Sequence, residues 1–185
     1  SHIRYQGFQG NIRATTKPVS FDSQALSQIL SLPEFSTWSE AGGLLVSDDL
    51  GSETVKRFYD PSGSSFIGRL VARDAFLAGN DLLYLGNIQS SDKADTYESV
   101  LGILAFFTQK YNEDTAFAQR VDHAVERILA AKLRIYGEFQ LSDVIPDKSN
   151  LETIGGSEEI TFEIASHAAT LVSPDVLDLE TLIPA

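Results

Sequence analysis

Cysteine is absent from these 185 residues, and that one absence removes disulfides, thiolate metal centres and thiol nucleophiles together. Methionine is absent too, and tryptophan occurs once, at Trp38. Basic residues are scarce: 14 Lys and Arg stand against 26 Asp and Glu, a formal net charge of −12. A surface of that sign repels phosphate backbones and anionic headgroups, so nucleic acid is not an expected partner. No apolar run approaches the ~20 residues of a membrane-spanning helix, and no membrane span is expected. His123 and His167 have no companions at metal-ligand spacing, and Asp48, Asp49 and Glu53 lack the frame of a calcium loop. Neither a metal nor another cofactor is expected.

What is present suits a folded core. The hydrophobic content is 43%, ample for a domain of this length. The opening Ser1-His2-Ile3-Arg4-Tyr5 reads as the tail of a strand, which leads to the expectation of a fragment of a longer protein and leaves localisation open.

Asp22-Ser23 introduces a helix carrying Leu26, Ile29 and Leu30, with Pro33 as its expected stop. Leu44 to Ser47 and Leu82 to Leu85 are short, apolar and bounded by glycines, the profile of strands buried on both faces. Between them, Phe66 to Leu77 has a helical stripe, and Gly79 sits where a helix C-terminus wants it. A strand, a helix and a strand in that order predict adjacent parallel strands joined by a crossover. The fold class expected is α/β. Two further helices follow, Asp95 to Tyr111 and a second ending near Tyr136, the latter with Val121, Val125, Ile128, Leu129 and Leu133 on its expected inner face. Leu141 to Gly156 has linker composition, and Ser157 caps a last helix whose stripe runs from Ile160 to Leu171. The expected division is 1–140 and 141–185.

The candidate site is the end of "GGLLVSDDL" at 42–50, where an apolar run closes on two carboxylates. Asp48 and Asp49 read either as a solvated turn or helix cap, or as a catalytic carboxylate at a strand's C-terminal end. Trp38 reads as a packing residue or a sugar-stacking one. Tyr84 reads as core. Arg57, Tyr59 and Asp60 fall on the loop that would follow the Leu44 strand.

Four stretches in one order resemble glycoside hydrolase family 3: "SHIRY" at 1–5, "GGLLVSDDL" at 42–50, "AGNDLLYL" at 78–85 and "RVDHAVERILAAKLRIYG" at 120–137. "EIASHAATLVSP" at 163–174 is similar to the stretch leading into that family's second domain. The resemblance implies the C-terminal portion of a TIM (β/α)8-type barrel, strands six to eight and the following helices over 1–140, then a linker towards a second domain. The remainder of its own barrel would be missing from the chain. It implies hydrolysis of terminal β-linked sugars with retention, through Asp48 as nucleophile, the first Asp after Ser. His2 is implied as a substrate-binding residue, or is a frayed terminal histidine. Ser-Asp-Asp-Leu is more similar to β-N-acetylglucosaminidases than to β-glucosidases, which more often carry Trp where Asp49 stands. The alternatives are a β-glucosidase of the same family and a non-catalytic carbohydrate-binding remnant. The acid/base would lie outside these residues, so the isolated fragment is expected to be inactive.

Overall fold

Aspartates that accept backbone N–H bonds mark where three of the described helices begin. The computed structural model describes residues 2–138, Gln140, Ile145 and 155–168. Its contacts divide the chain into two units, Ser1–Glu138 and Phe139–Ala185. The first unit opens with extended residues and one helical turn, α1 (Gln6–Gln9). A 3-10 turn at Val19–Phe21 leads to Asp22, whose Oδ1 accepts from Gln24 and Ala25 N–H at 3.1 Å each. That cap starts α2 (Ser23–Leu30). Pro33 does not merely follow α2 but begins α3 (Pro33–Glu40), because a missing N–H costs nothing in a first turn. After α4 (Glu53–Tyr59) comes α5 (Gly68–Ala78), closed by Gly79 at φ 128. Asp95 caps α6 (Thr96–Glu113) through Glu98 N–H at 2.8 Å. Asp114 caps α7 (Thr115–Tyr136) through Ala116 and Phe117.

In the second unit, α8 (Glu158–Ala168) carries Glu158 and Glu159 in its first turn, where carboxylates favour the helix macrodipole. The expected linker lies outside the described residues except for Ile145, Gly155 and Gly156, as does the part of the last stripe beyond Ala168. Among the described residues, no helix is long and apolar enough to cross a membrane.

The α/β expectation is overturned. The structure is 60% helix and 1% strand, and among the described residues there is no sheet, so these residues do not form a portion of a TIM (β/α)8-type barrel. The two expected strands do run parallel, but they meet in an isolated bridge, Val46↔Leu82, made by Leu82 N–H to Leu45 O at 3.1 Å and Ser47 N–H to Leu82 O at 2.9 Å. On either side, side chains take the backbone donors a ladder would use. Tyr84 N–H goes to Ser47 Oγ at 2.9 Å, Asp49 N–H to Asp48 Oδ1 at 2.8 Å, and Leu45 N–H to Asp81 Oδ2 at 3.1 Å. Such local bonds compete directly with sheet pairing. The opening segment contributes no strand either, since Ile3 O accepts from Val19 N–H at 2.8 Å.

The core gathers Phe21, Leu50, Val55, Phe66, Val71, Ile88 and Ile103 between the paired segments, α4, α5 and α6. A second cluster joins α5, α6 and α7 through Phe76, Phe107 and Phe117, whose ring centroids stand 5.2 to 5.4 Å apart. The expected inner face of α7 shifts. Phe117 and Ala124 are buried, Val121 and Ile128 are half-buried with Val121 packed on the aromatic cluster, and Val125, Leu129 and Leu133 are exposed. The displacement follows from arginines at seven-residue spacing, which turn the Arg120–Arg127–Arg134 face towards the unit's loops.

Those arginines hold the chain's two loop entries. Arg120 donates to Gly79 O and Asn80 O at 2.9 Å each and pairs with Asp81 Oδ1 at 3.0 Å. Arg127 Nε lies 3.3 Å from Asp81 Oδ2, and its guanidinium donates to Gly43 O. Arg134 reaches Ala41 O and Gly42 O. The Asp81 side chain is only 4% exposed, so removing it strands two guanidiniums in a poorly hydrated place. Asp81→Ala is expected to lower unfolding free energy by about 3 kcal/mol, and Arg134→Ala, at the exposed end, by less than about 1 kcal/mol. Urea unfolding followed by circular dichroism measures both; equal effects would refute this ranking.

Candidate functional site

The two acids at the end of the first paired segment separate because the backbone alternates. Ser47 is buried, Asp48 is exposed and Asp49 is half-buried. Asp49 belongs to the turn: its Oδ1 accepts from Gly51 N–H at 2.8 Å. A Cβ on Gly86 would fall 2.0 Å from that same oxygen, and Gly86 has φ +52, so only glycine fits there. A Cβ on Gly51 would stand 2.5 Å from Ile88 N. The turn after Asp48 and the turn after Leu85 therefore interlock, and the Asp48 backbone is held from behind.

His2 adds a second hold. Its Nε2 lies 2.8 Å from Asp49 O, and because a carbonyl can only accept, Nε2 carries the proton. Nδ1 lies within hydrogen-bond distance of Ser20 Oγ, also at 2.8 Å. The ring stacks on Phe21 at 5.6 Å between centroids. Asn80, itself buried, donates to Ser20 O at 2.9 Å. The line Asn80, Ser20, His2, Asp49 thus runs from the start of the second paired segment to the turn that follows Asp48. The structure brings His2 and the Asp48–Asp49 pair together, with both ring nitrogens engaged inside the chain.

The other candidates make their contacts away from Asp48. Arg57 forms an exposed i,i+4 pair with Glu53 at 2.9 Å on α4, not on a loop. Tyr59 donates to Asp74 Oδ2 at 3.2 Å and packs edge-on against Phe21; burial, then the Asp74 charge, push its phenol far above its usual range. Trp38 lies over Gly43, whose Cβ would fall 2.2 Å from Trp38 Cε2. His123 is exposed on α7, 3.9 Å from Glu126, and His167 lies in the last turn of α8. A cleft of about 570 Å³ opens between Glu53, Asp60, Ser62, Gln89 and Lys93, and Asp48 is not among its lining residues. Among the described residues, no three His, Asp or Glu side chains gather to hold a metal ion.

Tyr84, expected in the core, is instead 58% exposed. Its backbone sits abreast of Asp48, bonded through N–H to Ser47 Oγ and through its carbonyl to Leu50 N–H at 3.0 Å. The signal lay in the period-two pattern of Leu82 and Tyr84, which a both-faces-buried strand conceals.

An exposed carboxylate on a braced backbone can accept hydrogen bonds from a hydroxylated ligand or attack an electrophilic carbon. No family profile, curated protein or solved structure matches the chain.

Three carboxyls outside the Asp48–Asp49 turn depart from ordinary values. The Ser62 hydroxyl, then Ser65 N–H, hold Asp60 below the usual range. The Ser90 hydroxyl, then Arg69, do so for Asp92. At Asp22 burial pushes upward, but bonds from Gln9, Ala25 and Gln24 outweigh it and the net direction is down. A carboxyl whose folded value lies below its unfolded one contributes stability that is present above about pH 4 and lost as pH falls through the folded value. The thermal midpoint is therefore expected to drop as pH falls below about 4, and Asp60→Asn should flatten that limb. Melts at successive acid pH values check this; an unchanged slope in Asp60→Asn would remove Asp60 from the account.

Proposed function

We propose that the chain carries the nucleophile segment of a retaining β-glycoside hydrolase of the family 3 type, acting on terminal β-linked sugars. Asp48 is the nucleophile. N-acetylglucosaminides are the favoured substrates, because Asp49 occupies the place where β-glucosidases of that type more often present a tryptophan. The observation that carries the reading is the contrast between adjacent acids. Asp48 is exposed and takes Asp49 N–H on Oδ1, while half-buried Asp49 takes Gly51 N–H, close against Gly86.

In this reading the Asp48 carboxylate attacks the anomeric carbon as the glycosidic bond breaks. The leaving oxygen takes a proton from a second acidic group, which retaining enzymes place about 5 to 5.5 Å away. The glycosyl ester then yields to water, which the same second group deprotonates. The reading assigns that second group to no residue of this sequence. Bracing of the Asp49 peptide by His2 and Gly86 supports the reading, since a nucleophile held in position spends less of the barrier on orientation.

The test uses the full-length protein. Asp48→Asn keeps size and removes the attacking charge, so kcat should fall by about 10³-fold or more with little change in unfolding. Asp49→Asn retains an oxygen for Gly51 N–H and should stay within about tenfold of the unsubstituted rate. A slow 2-fluoro glycoside should label one peptide, with the ester on Asp48 by mass spectrometry. Labelling on Asp49, or near-normal turnover by Asp48→Asn, would sink the assignment, and a folded protein that binds sugar without labelling would favour the non-catalytic carbohydrate-binding reading.

A further inference from the structure

The cleft of about 570 Å³ is lined by α4, the 60–66 loop and the 89–93 segment, and its carboxylates are already taken up by the chain. Glu53 pairs with Arg57 at 2.9 Å. Asp60 accepts from Ser62 Oγ at 2.6 Å and from Ser65 N–H at 2.7 Å. Asp92, between Ser91 and Lys93 in the chain, is held by Ser90 Oγ and Arg69. Two cations of the lining are left over. Lys56 on α4 and Lys93 have no ion-pair partner among the described residues, although acidic residues outnumber basic ones 26 to 14. The 89–93 segment is anchored: Ser91 N–H meets Phe66 O at 2.7 Å, and the Lys93 stem lies on Gly102 of α6, where a Cβ would fall 3.0 Å from its Cε.

We infer that this cleft is an anion site for a phosphate group, free or carried as a monoester on a small molecule. Half-buried Lys56 and Lys93 bring two uncompensated charges to one cavity, and Ser91 adds an exposed residue with a hydroxyl. At neutral pH a phosphomonoester carries close to two negative charges and three acceptor oxygens, so it can take donors from α4 and from the 89–93 segment at once. A carboxylate, planar and singly charged, suits an arginine fork instead, and the Nε of Arg57 is occupied by Glu53. The cavity exceeds one phosphate and falls within the range of small-molecule sites. The net charge of −12 works against polyanions. At physiological salt, however, it is screened beyond about 8 Å, so a small anion in the cleft meets mainly the two ammoniums. The site is separate from Asp48, which does not line it.

Isothermal titration calorimetry of the full-length protein with phenyl phosphate, inorganic phosphate and benzoate tests this. The phosphate probe that binds should lose about tenfold or more in affinity in Lys56→Gln and in Lys93→Gln. Lys56→Arg, which keeps the charge, should retain binding. Benzoate should bind at least about tenfold more weakly than the phosphate probe. Lys132→Gln, an exposed lysine on α7, should bind as the unsubstituted protein does, and melting midpoints check that every variant folds. Tighter phenyl phosphate identifies an ester as the ligand; equal or tighter inorganic phosphate identifies the free ion. No binding of either phosphate, equal binding of benzoate, unchanged binding by folded Lys56→Gln and Lys93→Gln, or an equal loss in Lys132→Gln would each overturn the site.

Discussion

The clasp between α7 and Asp81 is the interaction on which the first unit depends. One carboxylate, almost wholly buried, meets two guanidiniums, and those guanidiniums also bind the carbonyls of Gly43, Gly79 and Asn80. The carbonyls belong to the entries of both paired segments. Asp81 also accepts Leu45 N–H through its side chain, and its own N–H reaches Leu45 O. A single helix thereby sets where the two segments start and how they lie against each other. Burying such a group is costly in isolation, and here every oxygen of the carboxylate has a partner. Arg120 further rests over the Phe76 ring at 4.8 Å, tying the clasp to the aromatic cluster.

At the other end of the paired segments the constraint is steric. Gly51 and Gly86 permit two turns to interpenetrate to a depth no other residue allows, and His2 secures the same turn from outside. Between clasp and interlock there is room for little more than one bridge. Ser47, Asp48 and Asp81 then satisfy the donors that a longer ladder would have taken. The result is a pair of extended segments whose inward residues are core and whose outward residues are exposed, a geometry that sets Asp48 and Tyr84 side by side.

Helix positions were largely readable in the amino-acid sequence because their signals are local. Asp22, Asp95 and Asp114 cap where short acidic side chains are expected to cap, and Gly79 and Gly137 close their helices in conformations with positive φ. Pro33 misled, since proline stops one helix and starts the next with equal ease. The sheet was not readable, because an apolar run between glycines specifies an extended segment without specifying how many of its N–H groups a serine or aspartate will claim. The α7 face was misassigned for a related reason: leucines at helical spacing announce a stripe, but arginines that reach carbonyls can outweigh it. Arg120, Arg127 and Asp81, part of the motif stretches that suggested a family, turn out to bind one another. Asp48 stood out from the start; Tyr84 did not, since exposure beside a carboxylate depends on register.

Trp38 gives this arrangement an optical handle. It is the only tryptophan, and its indole lies on Gly43, the residue whose carbonyl Arg127 binds. Its emission therefore comes from one place, the seam between α3 and the first paired segment. Loosening of that seam exposes the indole face that Gly43 covers and shifts the spectrum to the red. The colour of one residue thus reports on the place where Arg127 holds the Gly43 carbonyl.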